Sequence, residues 1–536
     1  MSPTVTLILQ IVVIIIAARA LGLLFRLIHQ PQVIGEIVAG ILLGPSLLGW
    51  TAPKISAILF PSASLGYLNT FSQVGIVIYM FLVGAALNYK ELKNCGHAAL
   101  LTSHGSIVAP YVLGALLALM LYPRLSDDGV SFLGFALFMG AAMSVTAFPV
   151  LARILTDRAM MGSRLGTLAI ACAAVDDITG WCILAYIVVL IRTQSESKPV
   201  WITIAGIIIF LLFMIYAAKP LGQRFYTAYE RDGRLSEYRV AALVVFVLVS
   251  ALITDWLGIH LLFGAFLCGA IMPKEHEFVL YIFEKFESVT VVLLLPLFFA
   301  FTGLRMNLSS LKGGGMWLIC TSIILVAIVG KLAGSMIAAH AAGVPWRDAT
   351  GIGVLMNTRG LMELVILNLG LDIGVISPVL FSMMVLMALV TTFMTTPLLK
   401  LIYPLRRLAL EIMPGLGTTE AIFKFMEKYG SAWGMRPEVA TKASSAIDEV
   451  LNAIGQLPLA SQTVRIGAEF DAFKLESEID YEGPPLPLPE TAPSAEAIME
   501  PLGELALAGF LIRQHSDDVK VTHHDGHSHV HLHFEH

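Results

Sequence analysis

This chain is short of charge. Only 14% of its 536 residues are Asp, Glu, Lys or Arg, against 57% hydrophobic residues and a mean hydropathy of +0.79. Soluble domains carry roughly 25% charged residues, so most of this chain reads as a polytopic membrane protein. Cysteine is scarce as well. Cys95, Cys172, Cys182, Cys268 and Cys320 show neither metal nor redox spacing, which removes a disulfide framework and leaves them as small apolar residues. There is no nucleophile–base set and no competent phosphate loop, so no enzyme and no catalytic residues are expected. There is no basic patch for nucleic acid either. A cleavable leader is not expected, because the apolar stretch Val5 to Ala18 runs on through Arg19 and Leu24 without a small-residue cleavage site.

What is present is a series of long apolar runs. Runs near 20 residues give about thirteen candidate spans, with cores at 4–25, 33–50, 66–88, 97–122, 131–155, 164–191, 200–219, 239–256, 257–273, 288–305, 316–342, 348–371 and 375–402. The count is open by one around 239–273, where Asp255 and Gly258 separate two short spans. Loop lysines and arginines set the orientation. With the N-terminus outside, the inside loops hold Arg26, Lys90, Lys93, Arg153, Arg158, Arg164, Lys274, Lys285, Arg347, Lys400, Arg406, Arg407 and the cluster from Lys219 to Arg239. The outside loops hold only Lys54, Arg124, Arg192, Lys198, Arg305 and Lys312. That excess places the C-terminus in the cytoplasm. The expected organisation is a transmembrane domain over 1–407 and a cytoplasmic α+β regulatory domain over 408–536.

Two adjacent acids, Asp176 and Asp177, stand in the middle of an apolar span. A carboxylate at that depth is costly unless it meets water, a cation or a partner charge, so the pair is a functional-site candidate by default. Two further spans read as broken helices. In the first, Ser144 and Thr146 precede Pro149; proline removes a backbone donor, so carbonyls near Met143 to Thr146 are expected to be free to line a polar cavity and ligate a small cation. The second carries Asn357, Thr358, Arg359, Gly360 and Glu363 at a comparable depth. The breaks fall at corresponding positions of two six-helix groups, the signature of an inverted-repeat secondary transporter. Lys331, also mid-span, needs an acid partner, and Asp176 and Asp177 are both candidates. Arg359 and Glu363 are spaced to pair along one helix face, a local supporting role. Glu36, near one end of its span, reads as a snorkelling or capping residue.

At these residues the chain resembles the monovalent cation:proton antiporter-2 family. The resemblance rests on Gln32 to Ser46, Ser144 to Leu155, Val175-Asp176-Asp177, Leu261 to Phe266 and Met356 to Leu364, and extends over roughly residues 5–405. It implies an all-α fold with inverted repeats and two broken crossing helices, a homodimer, and a multi-pass protein of a bacterial inner membrane serving pH homeostasis. It further implies that Asp177 is the shared carrier of cation and proton, that Asp176 pairs with Lys331, and that the exchange is electrogenic Na⁺ for H⁺. On both grounds one site binds a proton or a dehydrated Na⁺ in turn. Oxygens of Thr146, Ser144 and Asp176 complete the shell, since hard cations take oxygen ligands. K⁺/H⁺ exchange and a gated cation channel are the alternatives. No cofactor is required; Na⁺ or K⁺ and H⁺ are substrates.

The tail has an α+β order that resembles the histidine-kinase-type ATP-binding fold. Asp448 and Asn452 have the spacing of a magnesium-holding helix face. Asp480-Tyr-Glu-Gly-Pro-Pro485 and Gly503 to Gly509 replace the family's glycine-rich turns, so a degenerate, interaction-type domain is expected rather than a nucleotide site. His529, His531 and His533 alternate and share one strand face. They suit Zn²⁺ binding or pH sensing, and equally suit a plain polar strand face.

Overall fold

A computed structural model describes the chain from residue 2 to residue 535, apart from 29, 87–95, 127–128, 159, 161–162, 196–199, 258–259, 312, 405, 413–417, 434, 436, 458–462, 471–473, 490 and 494–502. Lys90, Lys93, Cys95, Lys198, Gly258 and Lys312 therefore lie outside the described residues. The contacts divide the chain into two units: Met1–Ile154 with Leu168–Leu398, and Leu155–Thr167 with Leu399–His536.

The first unit is built of helices that are apolar outward. Pro3–Leu27 shows how: the Ser2 side chain accepts from Val5 N–H and Pro3 starts the helix, where its missing donor costs nothing. Its inward stripe is Thr6, Gln10, Ile14, Ala18 and Gly22, while Ile8, Ile16 and Leu23 are exposed. Small and polar residues face other helices and branched aliphatics face outward, the arrangement that suits lipid as solvent. Eleven helices among the described residues are long and apolar enough to span a membrane, and the bent pair Trp346–Met356 and Leu361–Asp372 makes a twelfth. The expected thirteenth, at 257–273, is instead the helix Leu261–Ala270 of 10 residues. At 1.5 Å per residue it is about half the thickness of a bilayer core. It is gripped on both sides by backbone: a Cβ on Gly264 would lie 2.0 Å from Ser250 O, and one on Gly269 2.0 Å from Phe81 O.

Both expected helix breaks are present. Helix Phe132–Ser144 gives way to non-helical Val145–Ala147 before helix Phe148–Asp157 begins. Pro149 sits in the first turn of that second helix, so it starts a helix rather than kinking one. The other break runs from Asn357 to Gly360 and bends its span by 43°. The two breaks meet: Ala147 N–H donates to Thr358 O at 3.1 Å, and a Cβ on Gly360 would sit 2.6 Å from Val150 Cγ2.

The second unit holds an antiparallel five-stranded sheet, β1 Arg406–Ile412, β2 Val464–Phe470, β3 Lys474–Glu482, β4 Asp518–His524 and β5 His527–Glu535, in the order β1-β2-β3-β5-β4. Helices Thr418–Trp433, Pro437–Gly455 and Gly503–His515 bury Val464, Ile466, Leu475, Ile479, Val530, Leu532 and Phe534 beneath them. The opposite face is polar. Strand β1 begins at Arg406, and Arg406 and Arg407 pair with Phe470 and Glu469. Leu408, Leu410 and Ile412 alternate with Ala409 and Glu411, which is strand periodicity.

Candidate functional site

Four spans of the first unit converge on the acid pair. Consecutive residues on a helix point about 100° apart, so Asp176 and Asp177 of helix Arg164–Ser195 meet different surroundings. Asp176 is saturated. Its Oδ1 accepts from Ser103 Oγ at 2.6 Å, and its Oδ2 from Thr146 Oγ1 at 2.7 Å, Ser106 Oγ at 3.0 Å and Lys331 Nζ at 3.0 Å. Asp176 and Lys331 are both 0% exposed, so the partner that Lys331 requires is Asp176. Asp177 is equally buried, but its Oδ1 has no hydrogen-bond partner. Ser103 and Ser106 are not residues that the sequence alone singles out. The run Thr102-Ser103-His104-Gly105-Ser106 inside an apolar span was the available signal for the two serines.

The carbonyls of Met143, Ser144 and Val145 at the first break are not open, contrary to expectation. The end of a helix leaves its last carbonyls without intrahelical donors and carries a partial negative charge. Here cationic side chains fill them. Arg359 Nη1 donates to Ala142 O at 3.2 Å and to Val145 O at 2.9 Å, and Nη2 donates to Met143 O at 2.6 Å. Lys331 Nζ donates to Ser144 O and to Ser106 O. The Ser144 hydroxyl turns back to donate to Ala141 O at 2.9 Å, while its carbonyl is held by Lys331. Thr146 differs: its hydroxyl bridges Asp176 and Met356 O, and its backbone lies in the unwound segment.

Arg359 and Glu363 pair as their spacing suggested, with Nε 3.5 Å from Oε2. That contact is Coulombic only, because Arg359 Nε and both Glu363 oxygens lack hydrogen bonds. The main work of Arg359 is across the site rather than along its own helix. Asn357 is buried, with its Nδ2 3.7 Å from Met394 Sδ. Glu36 is also buried, and accepts from Gln32 Nε2 at 3.1 Å instead of snorkelling.

In the tail, His529 lies 2.5 Å from Asp480, and His533 Nδ1 lies 3.8 Å from Glu476. His531 stands opposite Glu478. Asn452 Nδ2 donates to Asp448 Oδ2 at 3.4 Å, so these two side chains spend their polar groups partly on each other.

The profile of the transmembrane sodium/hydrogen exchanger family matches residues 11–401. The Na(+)/H(+) antiporter NhaS4 of Synechocystis is 44% identical over 396 residues, covering 74% of this chain and 96% of that protein. Cation/H(+) antiporter 17 of Arabidopsis thaliana is 39% identical over 78% of this chain and 50% of its own length. K(+)/H(+) antiporter 1 of Saccharomyces cerevisiae is 33% identical over 75% of this chain and 47% of its own length. The chain thus spans about half of the plant and yeast relatives. The solved sodium proton antiporter MjNhaP1 from Methanocaldococcus jannaschii shares the fold, with a TM-score of 0.52 at 13% identity over 74% of this chain and 96% of that one.

Proposed function

This chain belongs to the transmembrane sodium/hydrogen exchanger family, and from that premise we propose that it exchanges Na⁺ for H⁺ with Asp177 as the shared carrier. It is a multi-pass membrane antiporter and not an enzyme. The observation that carries the Asp177 assignment is the asymmetry of the acid pair. Asp176 holds donors on both oxygens, whereas the buried Asp177 Oδ1 holds none.

A proton or a dehydrated Na⁺ satisfies that oxygen, and occupancy by one excludes the other. Thr146 is the neighbouring oxygen donor, with Asp176 behind it. Lys331 and Arg359 hold the broken ends in place and neutralise their dipoles. Alternation between the two sides then moves one species out and the other in. Coupling comes from the single site, since an empty buried carboxylate is too costly to cross.

The loop charges support a cytoplasmic C-terminus, and the sequence resemblance supports a homodimer in a bacterial inner membrane. K⁺ is the second reading, favoured by the similarity to the yeast K(+)/H(+) antiporter. Cation-triggered collapse of a pH gradient in proteoliposomes tests the assignment, comparing Na⁺, Li⁺ and K⁺. The expected result is a Na⁺ response that Asp177→Asn removes. A K⁺-only response moves the protein to the second reading, and full exchange by Asp177→Asn overturns the carrier.

A further inference from the structure

The polar face of the tail sheet carries a pattern that the exchange chemistry does not use. In the register of β3 and β5, Glu476 stands opposite His533, Glu478 opposite His531, Asp480 opposite His529 and Glu482 opposite His527. The alternating positions in between, Ser528, Val530, Leu532 and Phe534, are all 0% exposed beneath the helices. Four acid–imidazole pairs are therefore laid across one strand pair on the outward face. Directly opposed side chains have Cβ atoms about 4.5–5.5 Å apart, within reach of a shared small ligand.

One part of this ladder is tighter than the rest. Ligand atoms of Glu478, Asp480 and His529 all lie within 4.8 Å of one another, and His529 Nδ1 is 2.5 Å from Asp480 Oδ1. The floor beside them is low. Gly467 of β2 lies opposite Glu478, with no atom closer than 3.7 Å to where its Cβ would be. A groove of about 470 Å³ opens over Ala409 and Gly467, walled by Arg465, Glu478, Asp480 and His531. A glycine in a strand interior marks a place where something approaches the backbone closely.

We propose that Glu478, Asp480 and His529 form a binding site for a divalent transition-metal ion of the Zn²⁺ type on the exposed face of the tail sheet. Two carboxylates and one imidazole are a three-ligand set of the kind Zn²⁺ accepts, at about 2.0–2.2 Å each. The fourth position is left to water or to His531, one step along the same strand face. Softer ions need thiolates, and the described cysteines lie in the membrane unit rather than on this face. The two negative charges outweigh the opposition of Arg465, which faces Asp480 from β2. Lys520 stands opposite His531 from β4, beside the fourth position rather than among the three ligands.

The test uses the purified full chain in detergent, stripped with a chelator and titrated with Zn²⁺ by calorimetry. One site per chain is expected, weakened at least tenfold by Asp480→Asn and by His529→Asn. His524→Asn, at the end of β4 beside the hairpin turn, leaves the affinity unchanged. Zinc-edge absorption of the loaded protein shows one imidazole with water in the fourth position, or two where His531 fills it, and a remainder of oxygen ligands; a thermal melt in chelator confirms that each variant is folded. Unaltered affinity in both Asp480→Asn and His529→Asn overturns the site in favour of scattered surface histidines. Absence of binding by the full chain overturns it outright.

Discussion

Two regions of this molecule set acids beside bases, and they do so under opposite conditions. In the membrane unit Asp176 and Lys331 are 0% exposed, and the donors to Asp176 come from three other spans. In the tail, His529 and Asp480 keep 42% and 36% of their side chains in solvent. Removing a charge from water costs several kcal/mol, which is recovered only with good geometry and full hydrogen bonding. Exposed pairs cost little and contribute about 0–1 kcal/mol. The buried set therefore admits few arrangements, and one oxygen left without a donor stands out against it. The exposed set tolerates many, so only a third, convergent ligand separates a site from an ordinary polar face.

The comparison is sharpest where a buried charge is removed. Arg359→Ala strips donors from Ala142, Met143 and Val145 and leaves Glu363 without its countercharge. Loss of one partner from a buried pair costs about 3–5 kcal/mol, and we expect a melting temperature lowered by many degrees, or no folded protein. Glu363→Gln should cost distinctly less, because both Glu363 oxygens already lack hydrogen bonds. Thermal melts of the detergent-solubilised variants compare the two directly. Equal losses would mean that the i, i+4 pair, not the capping across the break, is what holds this region.

Next in size is Asp176→Asn with Lys331 intact. The amide keeps its shape but loses the carboxylate that Lys331 faces at 3.0 Å. Exchange is expected to persist, reduced by about tenfold or with altered response to membrane potential, in contrast to the complete loss in Asp177→Asn. Gradient-collapse rates at clamped potentials read this out. If Asp176→Asn is as dead as Asp177→Asn, the division of labour between the two acids is wrong.

The same contrast explains what could be read from the residues alone. A charge in an apolar span is conspicuous, so Asp176, Asp177, Lys331 and Arg359 were visible at once. Serine is not, since a single hydroxyl barely changes hydropathy, and Ser103 and Ser106 emerge only when a separate helix brings them to Asp176. Arg359 was read through its i, i+4 neighbour, because short spacings are printed in a sequence. Its contacts to Ala142 and Met143, more than two hundred residues away, depend on how the two breaks cross. Strand β1 was hidden behind Arg406 and Arg407, which resemble a loop following a span. In the tail the alternation of His529, His531 and His533 was legible. The acids facing them were not, because β3 and β5 become neighbours only through the strand order.

The smallest effect tests the exposed end of the comparison. Burial raises the Glu476 carboxyl, but the Lys474 hydrogen bond and charge, with His531 and His533 nearby, outweigh it and hold the group below its ordinary value. A depressed folded-state value means that the unfolded tail binds the proton more readily. Glu476 therefore contributes stability above its unfolded pKa near 4.5, and that contribution fades as pH falls through the lower folded value. With 26% of its side chain exposed and solvent screening its partners, Glu476→Gln should cost within about 1 kcal/mol near neutral pH and less still in acid. Protease resistance of the tail in graded urea, at neutral pH and near pH 4, measures this difference. A larger cost in acid than at neutrality would reverse the sign. It would mean that Glu476 works as a protonated donor, and that this half-exposed ladder behaves more like the buried pair than its solvent access allows.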